Sequence, residues 1–501
     1  MMTTRIANTP LLSLALDRST MVPLQMQIYD QIRDAILSGR LAPGTGLPAT
    51  RTLATELGLS RNTILGAFDR LLAEGYVEGK PGSGTHVSNI LPDDLLSTRG
   101  RTASQSRSSA PAGKTSQLSK MLTKGHYRRR HSAAGARAFR PGLPDLDNFP
   151  FQLWGRINAR FWQHPPRLLL HSGDLGGYLP LRQSIAAYLG AVRGLRGSAD
   201  QIMITAGAQQ ALDLIARAII DPGDDVWVEN PGYAGMRATL IAAGATIRHV
   251  PVDQNGISVN AGRKLAPDAV LAAVTPSHQF PLGVTMSLAR RLELLDWADD
   301  ANAWILEDDY DSEFRYGGKP LSALQGLDDA GRVIYVGTFS KVLFPSLRLG
   351  YVVVPEKLLA PFMDLRASID DHPALALQPV LHQFFEDGHF ASHIRKQRKL
   401  YAQRQDQLIQ ALDKSAQGLF SATSHDAGMH LVAKIDPDCT LSDQDISRRA
   451  SDIGLSVPAL STYFAGDFKG RRIKQGLILG YAGLTEKEIN KEVKRLVEAI
   501  V

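Results

Sequence analysis

The sequence predicts a multidomain α/β protein in three parts. A helical head with a short β-hairpin spans residues 22–88, a flexible basic linker spans 89–138, and a large α/β domain with a mostly parallel sheet and a smaller C-terminal α+β lobe spans 139–501; residues 1–21 form an N-terminal extension. Three observations carry this division. At 501 residues the chain is too long for one ordinary core. Charge is unevenly placed, with 11 Lys/Arg against 2 Asp/Glu in residues 88–140 of a chain whose net charge is +6. The hydrophobic pattern also changes, from helical stripes before the basic stretch to alternating strands and helices after it.

In the head, "PLQMQIYDQIRDAILSGRL" places Ile28, Ile32, Ile36 and Leu37 on one helical stripe, with Gly39 as a stop. Leu53, Ala54 and Leu57 fit a short second helix ending at Gly58. Ser60 is an N-cap for a third helix whose buried stripe is Ile64, Ala67, Phe68 and Leu71. A helix, a glycine turn and a helix place the later one for a major groove, with Ser60, Arg61, Asn62 and Thr63 at its N-terminus. "YVEGKPGSGTHV" reads as two short strands around a Gly-rich tip that can approach a sugar-phosphate backbone.

The linker has no sustained hydrophobic period. Its charge suits either contact with a polyanion or an extended, solvated tether. From Phe139 onward, "QIMITAG", "DVWVENPGY", "AVLAAVTPSHQFPLG", "AWILEDDYD", "RVIYVGTFSK" and "RLGYVVVP" read as strands, with helices such as "AQQALDLIARAII" and "LARRLELLDWADD" between them. Ligands in such sheets bind where strands run out into loops.

Four of these loops suit one chemistry. "ITAGAQQALDLI" offers the amides of Ala208 and Gln209 at a helix start, where an anion is favoured. "WILEDDYDSEF" ends a buried strand in carboxylates, costly without a cationic partner. "TFSK" and "SLRLGY" supply hydroxyls, an amine and a guanidinium. A pyridine ring bearing a phosphate and an aldehyde uses them all: amine for a Schiff base, carboxylate for the ring nitrogen, the rest for the phosphate.

"LPATRTLATELGLSRNTILGAFDRLLAEGYVEGKPGSGTHV" resembles the winged helix-turn-helix of the GntR family of transcription regulators. Residues 139–501 resemble a fold-type I aminotransferase, and the two joined by a linker resemble the MocR family of regulators. The resemblance implies contacts to double-stranded operator DNA from Arg51, Ser60, Arg61, Asn62 and Thr63, with wing contacts at Gly82 and Ser83. It implies pyridoxal 5'-phosphate on Lys341, with Asp308 on the pyridine nitrogen, Tyr310 on the phenolic oxygen and Tyr233 stacked on the ring. Ala208, Gln209, Ser340 and Arg348, helped by Thr338, are then the phosphate ligands. A homodimer and a small-molecule effector, either an amine or the cofactor itself, are further implications.

Two departures from the aminotransferase pattern stand out. The usual "NPTG" is replaced by "TPSHQFPLG", with Phe280 before the proline and His278 or Gln279 as candidate substitutes for the asparagine. The arginine that usually grips a substrate carboxylate, three residues before an aromatic, is replaced by Ile478 before Tyr481; Arg471 and Arg472 are alternative basic groups. These departures favour a regulator over the alternative, a working aminotransferase with a DNA-binding appendage. The lone cysteine, Cys439, excludes an intrachain disulfide framework and a CxxC metal site, and no metal is expected. No apolar run is long enough for a membrane span, and the N-terminal "LLSLAL" lacks a basic flank and cleavage site, so a cytoplasmic protein is expected.

Overall fold

The computed structural model describes residues 14–80, 84–89, 114–124, 138–171, 173–317, 322–416, 418–466 and 475–500. Gly82 and Ser83 at the expected wing tip lie outside these, as do Arg471 and Arg472. The chain divides into two compact units, residues 1–114 and 115–501.

The head consists of α1 (Leu24–Leu37), α2 (Thr50–Leu57), α3 (Arg61–Ala73) and the antiparallel strands β1 (Val77–Lys80) and β2 (Gly84–Val87). Its core gathers the expected stripes: Ile28, Ile32 and Ile36 of α1, Leu53 and Ala54 of α2, and Ile64, Ala67, Phe68 and Leu71 of α3. Leu37 departs from expectation and is exposed, because it lies nine positions, or about two and a half turns, from Ile28 and so faces away from the buried stripe. Tyr29 adds to the core, with the Arg70 guanidinium 4.4 Å from its ring centre and its hydroxyl on Glu74. The extension is tied to α1 by paired bonds: Gln31 accepts from Ala15 N–H at 2.9 Å and donates to Ala15 C=O at 2.7 Å.

One helix, Gln117–Lys124, stands inside the segment expected to be an irregular linker. Leu118 and Met121 fall three apart on one of its faces, a short period within a polar run.

The large domain is built on an eight-stranded sheet ordered β3-β10-β9-β8-β7-β4-β5-β6. The strands are β3 (Ile202–Thr205), β4 (Asp225–Asn230), β5 (Thr246–Asp253), β6 (Gly256–Ile257), β7 (Leu271–Val274), β8 (Trp304–Asp309), β9 (Val333–Thr338) and β10 (Gly350–Val353). The central run β9-β8-β7-β4-β5 is parallel, while β10 is antiparallel to both its neighbours and β6 folds back on β5. Strands β3, β7, β9 and β10 are buried throughout, as expected of a sheet covered on both faces. Helices Ala208–Ile219 and Leu288–Asp300 lie over it, each burying an apolar stripe. The C-terminal lobe is a three-stranded antiparallel sheet, β11 (Phe420–Ser421), β12 (His430–Ile435) and β13 (Gly476–Gly480), with the long helix His389–Ser415 packed on Glu486–Glu498. Among the described residues, no helix is long and apolar enough to cross a membrane.

Helix α3 depends on one cap. The Ser60 hydroxyl accepts the Thr63 N–H at 3.2 Å. Ser60→Ala is expected to cost about 1 kcal/mol, measured as faster amide hydrogen exchange along α3 with exchange in the large domain unchanged.

Candidate functional site

Sheet register brings the expected loops together. Gly350, at the start of β10, pairs with Thr205 on one side and Thr338 on the other. The ends of β3 and β9 therefore flank the start of β10, and the loops holding Ala208, Ser340, Lys341 and Arg348 meet at one sheet edge. Asp308, near the end of β8, is paired with Val336 of β9.

Lys341 donates from Nζ to the Gly142 carbonyl at 2.9 Å. Gly142 has φ +68°, and a Cβ there would stand 2.5 Å from Nζ, so any side chain would displace the amine. Gly142 was not among the expected site residues. The contact joins positions 199 apart and leaves no local signal.

Gly207, with φ +94°, opens the helix Ala208–Ile219, and a Cβ on it would lie 3.4 Å from Arg348 Nη1. The guanidinium thus lies beside the helix start, where the N–H groups of Ala208 and Gln209 have no intrahelical acceptor. The Ser340 hydroxyl is buried and has no partner among the described residues. Thr338 shapes this loop by accepting the Ser340 N–H at 3.2 Å. Arg348 itself is left-handed, φ 52° and ψ 41°, a conformation costing a non-glycine residue about 1 kcal/mol. The Gln209 side chain turns to Thr239 and accepts from the Tyr233 hydroxyl at 3.4 Å, leaving only its amide for an anion.

The acidic run at the end of β8 is sorted by strand alternation. Glu307 accepts the N–H groups of Leu324 and Gln325 at 2.9 and 3.0 Å. Asp309 takes Arg193 at 2.8 Å and the Tyr335 hydroxyl at 2.6 Å. Asp311 takes His278 at 3.0 Å. Asp308 points to the other face, is 6% exposed, and its Oδ1 has no partner among the described residues. Its pKa is raised to about 7, first by burial and then by the carboxylates of Asp309, Glu229 and Asp311, with Lys341 opposing them. Burial also pushes Glu229 to about 7, against hydrogen bonds from Thr275 and Gln279. Neither Glu229 nor Arg193 was expected at the site.

Tyr310 places its hydroxyl 3.0 Å from His278 Nδ1, and burial raises its pKa. Phe280 meets Tyr233, Tyr310, His430 and Tyr463 edge-on, at ring-centre distances of 6.2, 6.0, 5.3 and 5.3 Å. His430 lies across from Pro281, its Nε2 at 3.2 Å from the carbonyl, and burial holds it well below the ordinary imidazole range. Ile478 pairs with Val432 and Gly480 with His430 across β13 and β12, so Ile478 shares the face of His430. The position where a carboxylate clamp was sought is therefore a buried aliphatic side chain.

These residues fit a phosphorylated pyridine. Several buried polar atoms here have no partner among the described residues, Glu229 Oε1, Asp308 Oδ1, Asp309 Oδ1, Asp311 Oδ1 and Ser340 Oγ among them; those of Asp308 and Ser340 suit a cationic ring nitrogen and a phosphate. In the head, Arg51 in the first turn of α2 is exposed, as are Ser60, Arg61 and Asn62 at the start of α3, where Thr63 is half-buried.

Comparison with known proteins agrees with this geometry. The family model for aminotransferase class I and II matches residues 158–496, and that for bacterial regulatory proteins of the gntR family matches 24–87. A probable rhizopine catabolism regulatory protein, MocR, of Rhizobium meliloti is 39% identical over 97% of this chain and 96% of its own. The pyridoxine biosynthesis transcriptional regulator PdxR of Corynebacterium glutamicum is 30% identical over 98% of both chains. Among solved structures, kynurenine aminotransferase of Pyrococcus horikoshii, in complex with PMP, matches 77% of this chain and 94% of its own at 28% identity, TM-score 0.65. The α-aminoadipate aminotransferase LysN of Thermus thermophilus, complexed with N-(5'-phosphopyridoxyl)-L-leucine, matches 77% and 95% at 26% identity, TM-score 0.65. A head of the gntR type joined to an aminotransferase class I and II domain, matched end to end by such a relative, shows that this chain belongs to the MocR family of transcriptional regulators.

Proposed function

We propose that this chain binds operator DNA through α3 and its wing, holds pyridoxal 5'-phosphate on Lys341, and changes its DNA affinity when the cofactor, or an amine condensing with it, occupies the site. The carrying observation is Lys341 set near a buried carboxylate, Asp308, whose Oδ1 has no partner among the described residues. When bound, the cofactor supplies an aldehyde for the lysine amine and an electron-poor ring. Lys341, released from the Gly142 carbonyl, would be the residue that holds the aldehyde carbon. Asp308 stabilises a protonated ring nitrogen, and Tyr310 donates to the phenolic oxygen. Arg348, Ser340 and the first amides of the Ala208 helix hold the phosphate, while Tyr233 covers the ring. The names of relatives connect the family to pyridoxine biosynthesis and to rhizopine catabolism, which supports control of vitamin B6 or amino-compound metabolism. A homodimer acting in the cytoplasm on paired half-sites suits this function.

The ligand shifts DNA affinity only by as much as it prefers one conformation of the protein. Titration of pyridoxal phosphate into the purified chain is expected to produce a visible band that Lys341→Ala abolishes, together with a change in affinity for a duplex that the wild-type protein selects from random sequence. A band without any change in DNA affinity, with or without added amines, sinks the sensing role. Sustained turnover of an amino donor and a 2-oxo acid at ordinary enzyme rates would favour an aminotransferase instead.

The electrostatics of Asp308 give a pH dependence with a definite sign. Its folded pKa, about 7, lies above the ordinary value of 3.8, so the folded cofactor-free chain binds this proton more tightly than the unfolded chain. Stability from this group is present at acidic pH and is lost as pH rises toward 7. Glu229 acts in the same direction. The melting temperature of the cofactor-free protein should fall from about pH 5 to about pH 8, and Asp308→Asn should remove part of that fall. Added cofactor should stabilise the wild type more than Asp308→Asn at the higher pH, as seen by calorimetry.

Arg61→Ala should weaken binding to the selected duplex roughly tenfold and reduce the salt slope by about one, without changing the cofactor band.

A further inference from the structure

The loop Thr275–Gly283 lacks the asparagine usual in aminotransferases, and two of its residues are polar enough to replace it. Gln279 is already engaged: its Nε2 donates to Glu229 Oε2 at 3.1 Å, the Pro231 carbonyl at 2.9 Å and the Phe280 carbonyl at 2.8 Å. His278 is different. It is 2% exposed, and its Nδ1 stands 3.0 Å from both Asp311 Oδ2 and the Tyr310 hydroxyl. On the reading that Lys341 holds pyridoxal phosphate, we propose that His278 and Asp311 are a positioning pair that aims the Tyr310 hydroxyl at the cofactor's phenolic oxygen.

The tautomer follows from the partners. Asp311 is buried and accepts from a proton on Nδ1. A proton on Nε2 would face no acceptor among the described residues. With Nδ1 protonated, the same N–H reaches the Tyr310 oxygen as a shared donor. The phenol's own hydrogen is then left for an anionic oxygen on the ring. Space for the imidazole is kept by Gly428 and Gly283, where a Cβ would lie 2.2 Å from His278 Cε1 and 3.1 Å from Nε2. The other titratable groups facing His278 are His430 and His425, at ring-centre distances of 5.1 and 6.4 Å. Tyr310 is further surrounded by the charges of Asp308, Asp309 and Glu229.

The test is a pH titration of the cofactor's visible band in the full-length loaded protein, with the affinity for added pyridoxal phosphate measured alongside. A donor to the phenolic oxygen stabilises its anion most when the neighbouring imine carries no proton, so losing that donor raises the midpoint. His278→Ala, Asp311→Asn and Tyr310→Phe should each raise it, by about one pH unit for a lost charge-assisted hydrogen bond. His278→Ala combined with Tyr310→Phe should shift it no further than Tyr310→Phe alone, because the histidine acts through the tyrosine. His278→Asn, which keeps a donor, should recover part of the shift and stands in where His278→Ala does not fold. A wild-type midpoint in His278→Ala and Asp311→Asn overturns the proposal, as do shifts that add in the double variant. A wild-type protein with no band sensitive to Lys341→Ala overturns the underlying cofactor reading, which separates that failure from this one.

Discussion

A buried negative charge organises the large domain. Strand β8 carries three acids into the interior, and Asp311 follows two residues later. Each carboxylate in a dry interior is costly unless a donor or cation meets it. Glu307 is met by two backbone amides, Asp309 by Arg193, Tyr335 and Ser312, and Asp311 by His278. Asp308 is turned to the opposite face of the strand, Lys341 is among the charges that act on it, and its Oδ1 remains unsatisfied among the described residues. The neighbouring pairings make this possible. They anchor the strand end from one side, so that a single acid can be held where a cation must come to it.

The same logic extends to the loops. A parallel sheet delivers its strand ends to one edge, and the inserted antiparallel β10 brings the ends of β3 and β9 alongside its own beginning. That placement brings together an amide-bearing helix start, a hydroxyl and a guanidinium, the groups proposed to hold the phosphate. Close approach at Gly207 and Gly142 completes it, since each glycine allows a charged side chain to lie where a Cβ would otherwise stand. The ring side is where the chain departs from the usual aminotransferase, with Phe280, His278, His430 and Ile478 giving an aromatic and aliphatic surround.

Much of this was legible in the sequence, for identifiable reasons. The stripes of α1–α3 follow from helical periodicity, and every core position expected for α3 is buried. Leu37 was misjudged because it lies about two and a half turns from Ile28, on the face opposite the stripe it was assigned to. Strand β5 escaped notice because "TIRHVPVD" mixes polar and apolar residues and is only partly covered, unlike the apolar strands beside it. The helix Gln117–Lys124 escaped because two apolar residues in a polar tether make a weak period. The loop residues from Ala208 to Arg348 could be nominated because they sit in contiguous strand-to-helix or strand-to-turn motifs, and the fold brings their loops together. Gly142, Arg193 and Glu229 were not, because their roles arise from contacts across the fold.

The sequence by itself determined the kinds of elements, the two-part architecture and the chemical inventory of the site: an amine, a phosphate cradle and an acid-tipped strand. Those depend on local periodicity and on residue types at short spacing. The tertiary structure decided which acid lacks a partner, that His278 rather than Gln279 faces Tyr310, and that Ile478 lies on the His430 face of the small sheet. Burial, pairing and sheet register depend on many distant residues at once, and no local window of the chain contains them.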